Sequence, residues 1–550
     1  MDNWWKEYLN YLDNSPISIR RLVDKLAPRH YIPKREKVVI KKKYELWPFQ
    51  KKILNKMKYE EKSLILGLPT GLGKTFIAGA YLEELSKPNG IRVLFLVPSV
   101  PLGVQQTIFA RNQLYVKNAY FISGAISPEK RRKLKVWNTG FAVTTPQTFA
   151  NDHLYAFESA LRDAREMHNP LPYLNEFLRD ADFHFPYDVV IADECQRYIG
   201  ETDGYSILLV AAACKVKILA LSATPQLHAP HRLQELRKIF DKIELFSVEE
   251  PSVKKYMPTR ILHVIKIPPP EELLTLYRAF DKIISNIEKQ IKDKYGSNHL
   301  KINCTEHSPC RKRMAFKMLK LKLIENGASS VLKYSTWRLK ELKIPLDELN
   351  GKSILRIYRE TLSKCFNHKI EVAMKILDRE IYDKAIIFAE AVEAVKQLGR
   401  KLQEKMGIEN VAILVGKGHM SLEQQASALM QFKSKAKVLI ATSVGEEGLD
   451  IPVADIEIWI DPPNNPKKWI QRFGRILRRP FKDKIARTYA LITLRTHEKN
   501  KLLSVMKKVE RIYKFTQKIV YEDLNQIFKG QSTLISFLGR KSSNYDNLRT

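Results

Sequence analysis

The sequence predicts an α/β protein with two parallel-sheet units of the phosphate-loop kind and an all-helical insert between them. Three observations predict it. Short continuous apolar runs ending in polar clusters recur in two blocks, about residues 63–222 and 384–460, as buried parallel strands do. A glycine-rich turn, LPTGLGKT at 68–75, follows the first run and enters FIAGAYLEEL, giving a strand, a turn and a helix. Between the blocks, about 95 residues carry helix-like spacing. The expected divisions are an N-terminal helical and basic extension (1–43), a first α/β domain (44–268), the basic insert (269–365), a second α/β domain (366–515) and a tail (516–550).

Within the glycine-rich turn, Thr70, Gly71, Gly73, Lys74 and Thr75 form a candidate phosphate cradle. Glycines let the backbone curl and aim its N–H groups at a phosphate, while Lys74 brings a positive charge to the β/γ-phosphates of ATP. The Thr75 hydroxyl suits a Mg²⁺ ion, and the helix beginning there adds its positive dipole end. Leu68 occupies the place where the strict pattern has its first glycine. Upstream, Gln50 in LWPFQ could read both edges of adenine with one amide.

The remaining strand ends of this unit are also polar. IRVLFLVPS ends at Pro98 and FAVTTPQ at Gln147, positions where α/β sheets bind ligands and where a nucleic-acid backbone is the expected one. The run at 189–192 delivers Asp193 and Glu194, one carboxylate suited to Mg²⁺ and the next to polarising a water for attack on the γ-phosphate. Gln196 follows, and KILALSATP ends in Ser222 and Thr224, small hydroxyls able to link the nucleotide site to the nucleic-acid face.

In the second unit KAIIFAEAVEAV reads as a strand and a helix, and AKVLIATSVGEEGLDIP carries Thr442, Ser443, Gly448 and Asp450 out of a buried strand. KKWIQRFGRILRR places Arg472, Arg475 and Arg478 at spacings of three, on one expected helix face with Gln471 nearby. Arginines some 400 residues from Lys74 make sense as fingers inserted into another domain's site to stabilise transition-state charge.

Composition narrows the partner. A chain of 550 residues is too long for one core, and its formal charge of +33 attracts a polyanion, expected to be nucleic acid, through phosphate contacts and counterion release. The plainer explanation of that charge is a lysine-rich solvated surface. No run resembles a signal peptide or a membrane span, so a cytoplasmic, nucleoid-associated protein is expected, with no membrane partner. Five cysteines, odd and sparse, fit a reducing compartment. In the insert, 281–343 holds fifteen Lys/Arg against six acidic residues, an excess typical of a nucleic-acid surface. His299, Cys304, His307 and Cys310 cluster there in a spacing that fits no standard zinc finger.

The order GLGKT, DECQ, SAT, TSVGEEGLDIP and QRFGRILR resembles the superfamily 2 helicases and translocases, over about residues 46–494. The likeness is greatest to the archaeal Hef helicase, with its relatives Fanconi anaemia protein M, Dicer and the antiviral RNA sensors. The resemblance implies two RecA-like domains, ATP with Mg²⁺ in the cleft between them, and 3′ to 5′ movement on branched or forked DNA in repair or recombination. It implies that Gly448 and Asp450 reach the nucleotide, that Pro98, Gln147, Thr442 and Ser443 touch nucleic acid, and that Gln196, Ser222 and Thr224 couple the two. It also implies that Arg475 and Arg478 are the fingers, with Gln471 aiding γ-phosphate sensing, and that the insert is a thumb-like domain. Two departures stand out. Gln196 takes the place of the usual histidine, and QRFGRILR resembles the arginine motif of the repair helicase XPB.

In the tail, Gln531, Leu534, Phe537 and Leu538 follow the pattern of peptides that bind the sliding clamp PCNA, an apolar plug on one helical turn with a glutamine latch. No second acidic metal cluster occurs in the tail, so any cutting is expected from a separate nuclease. Two rivals remain open: an RNA-directed ATPase of the antiviral-sensor type, and a nucleic-acid-binding scaffold with a degenerate motor.

Overall fold

A computed structural model of the chain describes residues 19–60, 63–68, 71–223, 230–240, 242–246, 251–254, 259–301, 308–325, 348–349, 352–353, 368–416, 418–442, 454–474, 476, 485–513 and 517–524. The apolar runs of the first block are strands β1 (Leu64–Gly67), β2 (Val93–Leu96), β3 (Ala119–Ile122), β4 (Phe141–Thr144), β5 (Val189–Ala192) and β6 (Lys217–Ser222), joined by β7 (Lys242–Leu245). They hydrogen-bond in the order β3-β4-β2-β5-β6-β1-β7, every pair parallel. Parallel neighbours need crossovers, and helical crossovers cover both faces, so successive residues of one strand enter different apolar layers. Leu64 and Leu66 join Ile77, Tyr81 and Phe109 on one side, while Ile65 joins Phe149, Leu208 and Phe240 on the other.

Gly103 shows how tightly the first layer closes. It lies on the helix Val100–Gln113, and a Cβ there would come within 2.1 Å of the Phe121 ring on β3. Gly103→Ala should therefore overpack this contact and cost about 1–3 kcal/mol, read as a lower urea midpoint for the first unit.

The second unit is built the same way. After the two-residue antiparallel ladder of β9 (Glu348–Leu349) and β10 (Lys352–Ser353) come β11 (Ala385–Phe388), β12 (Val411–Leu414), β13 (Val438–Ala441), β14 (Ile456–Trp459), β15 (Ile485–Thr493) and β16 (Lys518–Asp523). With β8 (Thr259–Ile267) they form an all-parallel sheet, β12-β13-β11-β14-β15-β8-β16. Counting each sheet's strands from one to seven along the chain gives 3-4-2-5-6-1-7 in both, so β8 is the counterpart of β1 and β16 of β7.

This topology corrects two expected boundaries. Residues 259–267, grouped by sequence with the first domain, are a strand of the second sheet, and so are 518–523, grouped with the tail. An apolar run reports that a strand is buried, not which sheet it joins, because the pairing is set by contacts more than 200 residues away in the chain.

The insert thus leaves and re-enters the second unit, between β8 and the helix His368–Arg379. Its helices Glu271–Tyr295 and Ser308–Glu325 pack through Leu276, Phe280 and Ile284 against Phe316, Leu319 and Leu323, side chains at three-and-four spacing. Tyr277 anchors the longer helix to the second unit: its hydroxyl accepts the His497 backbone N–H at 2.8 Å. At the other end of the chain, the helix Ile19–Leu26 is followed by an extended strap rather than more helix. Val38 bridges Ile91 antiparallel, and the Ile40 N–H donates to Ser86 Oγ at 3.0 Å. Met430, on the helix Leu422–Ser434 of the second unit, packs against the layer that holds Val23 and Leu26. Among the described residues no helix is long and apolar enough to cross a membrane.

Candidate nucleotide site

The carboxyl ends of β1, β5 and β6 meet because these strands are neighbours, in the order β5-β6-β1. Past β1, Gly71 and Gly73 adopt left-handed backbone (φ +87° and +77°), the conformation that bends the loop into the helix Lys74–Leu85. Lys74 turns back over the loop, its Nζ donating to the Leu68 carbonyl at 2.9 Å. Thr75 stands half-buried in the first turn of that helix.

Gln50 lies against this loop, almost fully buried. Its Nε2 donates to the Leu72 carbonyl at 2.9 Å, and its Oε1 accepts the Trp47 N–H at 2.8 Å. One donor and one acceptor of the amide are left, the pair an adenine edge requires. A Cβ on Gly73 would come within 2.5 Å of Gln50 Nε2, so glycine here serves both the backbone turn and the amide's approach. Gln50→Ala removes the two hydrogen bonds an adenine edge would make, worth about 1 kcal/mol each, and the KM for ATP should rise about thirtyfold, with less preference over GTP. Steady-state titration of both nucleotides checks this.

Asp193 and Glu194 leave β5 at the centre of the sheet. Asp193 is buried. Its Oδ1 accepts the Glu194 N–H at 3.0 Å, and its Oδ2 accepts Gln106 Nε2 at 3.3 Å. Burial, then the neighbouring Glu194 charge, push the Asp193 carboxyl up to about 7, while Lys74 pulls the other way. The phosphate-loop lysine and the carboxylate pair therefore share one electrostatic site. Glu194 holds a left-handed backbone (φ +53°), unusual for a residue with a side chain. Gln196 Nε2 donates to Glu194 Oε2, and its Oε1 accepts Ser222 Oγ–H at 2.7 Å. The Ser222 carbonyl in turn accepts the Leu68 N–H at 3.0 Å, so a chain of bonds runs from the end of β5 through β6 to the phosphate loop.

The other candidates are scattered along the rims. Pro98 is half-buried past β2, and Gln147 is exposed at the start of the helix Pro146–His153. Thr442 is buried past β13, its N–H donating to the Leu414 carbonyl at 3.0 Å. Gln471 is buried on the helix Pro466–Phe473. Thr70, Thr224, Ser443, Gly448, Asp450, Arg475, Arg478, the cysteine-histidine pair Cys304 and His307, and the tail residues Gln531, Leu534, Phe537 and Leu538 lie outside the described residues. Cys310 is buried in the apolar layer of the insert.

One placement was not expected. Arg472, the first of the three arginines spaced by three, is turned into the core. Its side chain is wholly buried, donating to the Asp461 carbonyl at 2.7 Å and to Glu390 Oε1 at 3.1 Å, with the guanidinium 5.0 Å from the centre of the Phe388 ring. Spacing alone missed this, because a period of three places residues near one another without saying which side the core is on. Gln106 was missed as well. It is a glutamine inside an ordinary helix pattern, and only the fold brings it to Asp193.

Two family models match in chain order: the type III restriction enzyme res subunit over residues 43–227, and the helicase conserved C-terminal domain over 368–480. The Pyrococcus furiosus Hef helicase domain superposes with a TM-score of 0.55 at 21% identity, over 83% of this chain and 97% of that one. The chain belongs to superfamily 2 of the helicases. Two relatives of this superfamily 2 chain are similar over most of its length. A Methanocaldococcus jannaschii protein named as an ATP-dependent RNA helicase is 25% identical, over 76% of this chain and 54% of its own. The Schizosaccharomyces pombe ATP-dependent DNA helicase fml1 is 22% identical, over 78% and 55%. The chain thus spans about half the length of these curated relatives.

Proposed function

We propose that the chain is an ATP-hydrolysing DNA helicase or translocase acting on forked or branched DNA in fork repair or recombination, with 3′ to 5′ movement. The observation that carries this reading is the bonded sequence Glu194–Gln196–Ser222 beside Lys74, a link from a hydrolytic carboxylate to the rim of the sheet. ATP and Mg²⁺ fit the residues present: two carboxylates crowded into a buried site are relieved by a divalent cation, and left-handed glycines suit a phosphate. Thr75 and Asp193 would hold the ion, which supplies charge neutralisation at the phosphates.

The chain's own residues do the rest. Lys74 exchanges the Leu68 carbonyl for phosphate oxygens, and Glu194 orients the attacking water. Gln196 cannot titrate, so it transmits a shift of Glu194 to Ser222 by geometry alone. Arg475 and Arg478, with Gln471, would complete the site from the second unit, Gly448 and Asp450 would reach the nucleotide, and Thr70 would close the phosphate loop. Pro98, Gln147, Thr442 and Ser443 would hold the phosphate backbone, with Thr224 joining Ser222 in coupling. The tail would dock on a sliding clamp through Gln531, Leu534, Phe537 and Leu538, a separate nuclease would do any cutting, and the protein would work in the cytoplasm on the nucleoid.

The DNA assignment is supported by the name of the fission yeast relative. The name of the Methanocaldococcus jannaschii relative favours a second reading, an RNA-directed ATPase. Steady-state ATPase with single strands, duplex, forked and four-way DNA and duplex RNA separates them. Stimulation of at least tenfold by forked DNA over duplex RNA is expected. The reverse order would establish the RNA reading, and turnover at background with every nucleic acid would leave a scaffold.

A further inference from the structure

The strap that follows the helix Ile19–Leu26 does more than tie the N-terminal segment down. It lies beside the turn that follows the helix Pro128–Lys133. The Ile32 N–H donates to the Leu134 carbonyl at 3.0 Å, Asn138 Nδ2 to the Ile32 carbonyl at 2.8 Å, and the Glu36 N–H to the Asn138 carbonyl at 2.8 Å. These bonds bury Ile32 and turn its neighbours outward, so Lys34, Arg35 and Lys37 stand exposed next to exposed Arg132, Lys133 and Lys135. None of these six makes an ion pair among the described residues. Lys135 instead sits 5.3 Å from the centre of the Tyr31 ring, which is itself half in solvent. Arg35 also acts on the buried Arg92 as a like charge, which adds to burial in drawing that guanidinium down.

The position of this patch matters as much as its charge. Val38 bridges Ile91, and Asn138 stands just ahead of β4, so the strap runs along the rim where β2 and β4 begin. The candidate track residues Pro98 and Gln147 follow the opposite ends of β2 and β4, on the edge of the parallel sheet where β1, β5 and β6 end at the nucleotide site. A strand held on the track would not reach the opposite rim. A group of six lysines and arginines against the one acid of the strap, Glu36, built from segments about 100 residues apart and placed by backbone bonds, suits phosphates spaced along a duplex.

We propose that Lys34, Arg35, Lys37, Arg132, Lys133 and Lys135 form a second nucleic-acid surface, which holds the duplex arm of a branched substrate while the motor works on another arm. The proposal deepens the DNA-motor reading and rests on it for the identity of the substrate. Contacts of this kind position the arm without reading its sequence.

The test is binding without ATP, by fluorescence anisotropy of labelled forked DNA and of single-stranded DNA between 50 and 200 mM salt. It compares the native chain with a variant carrying K34Q, R35Q, K37Q, R132Q, K133Q and K135Q. Each lost phosphate contact lowers the salt slope by about 0.9, so the slope on the fork should fall by about 3 to 5 and fork affinity at 100 mM salt by at least about thirtyfold. Single-strand affinity and single-strand-stimulated ATPase should stay within about twofold. The two triple variants, strap and turn, serve if the sixfold one does not fold. An unchanged slope on the fork overturns the proposal, as does an equal loss on single strands. A forked RNA included alongside shows which nucleic acid supplies the arm. The slope needs no turnover, so a chain that fails the ATPase panel can still pass or fail here independently.

Discussion

Lys74→Ala is expected to lower ATP turnover by two to three orders of magnitude while leaving salt-sensitive DNA binding within about twofold. Removing a single preorganised group that stabilises transition-state charge costs about 2.7–4 kcal/mol in enzymes of known mechanism. Lys74 sits over the loop, poised on the Leu68 carbonyl, and its charge acts directly on the Asp193 carboxyl. The substitution has a second effect in the same direction. Lys74 opposes the burial that pushes Asp193 up, so its loss favours the protonated carboxyl, which is the poorer ligand for a cation. DNA binding should survive because the candidate contacts and the strap lie elsewhere. Steady-state hydrolysis at saturating forked DNA, with anisotropy on the same preparation, measures both halves. Turnover equal to that of the native chain would sink the assignment of Lys74.

Much of this site can be read without coordinates because each part is local. The run at 189–192 is apolar throughout, so it must be buried on both faces, and the acids after it must emerge at its end. The same logic holds for the glycine-lysine turn after β1 and for Ser222 at the end of β6. A polar bridge at Gln196 was also foreseeable, since an amide can both donate and accept. The illegible features are those set by distant contacts. Gln106 meets Asp193 across 87 positions, and β8 chooses the second sheet over the first through pairing with β15 and β16. Arg472 shows the limit of periodicity: its spacing matched an exposed basic face, yet Glu390 and the Asp461 carbonyl, at the ends of two other strands, draw it wholly inside. The 3-4-2-5-6-1-7 order shared by both sheets is invisible for the same reason, because no local pattern encodes it.

Lys369→Met should destabilise the second unit by about 3–5 kcal/mol, the cost of stranding buried carboxylates without their cation. Lys369 opens the helix that follows the insert, and its side chain is fully buried. Its ammonium donates to Glu498 Oε1 at 2.6 Å and to the Ile460 carbonyl at 2.8 Å, with Asp461 Oδ1 at 3.9 Å. Methionine matches the length and apolar stem of lysine, so packing is nearly kept and the charge effect is isolated. Adding Glu498→Gln should recover at least half of the loss, since the amide oxygen can still accept the Thr493 N–H that Glu498 Oε2 takes at 2.7 Å. Urea unfolding of the single and double variants measures this, and a single-variant loss under about 1 kcal/mol would refute it. The consequence should reach the motor. Asp461 Oδ2 accepts the Glu390 N–H at 2.8 Å, and Glu390 receives both Lys468 and Arg472 from the helix that carries Gln471. Lys369 therefore steadies, through Asp461 and Glu390, the helix that leads into the arginine motif. Hydrolysis should fall in the single variant even at temperatures where the chain stays folded, and it should return in part with Glu498→Gln.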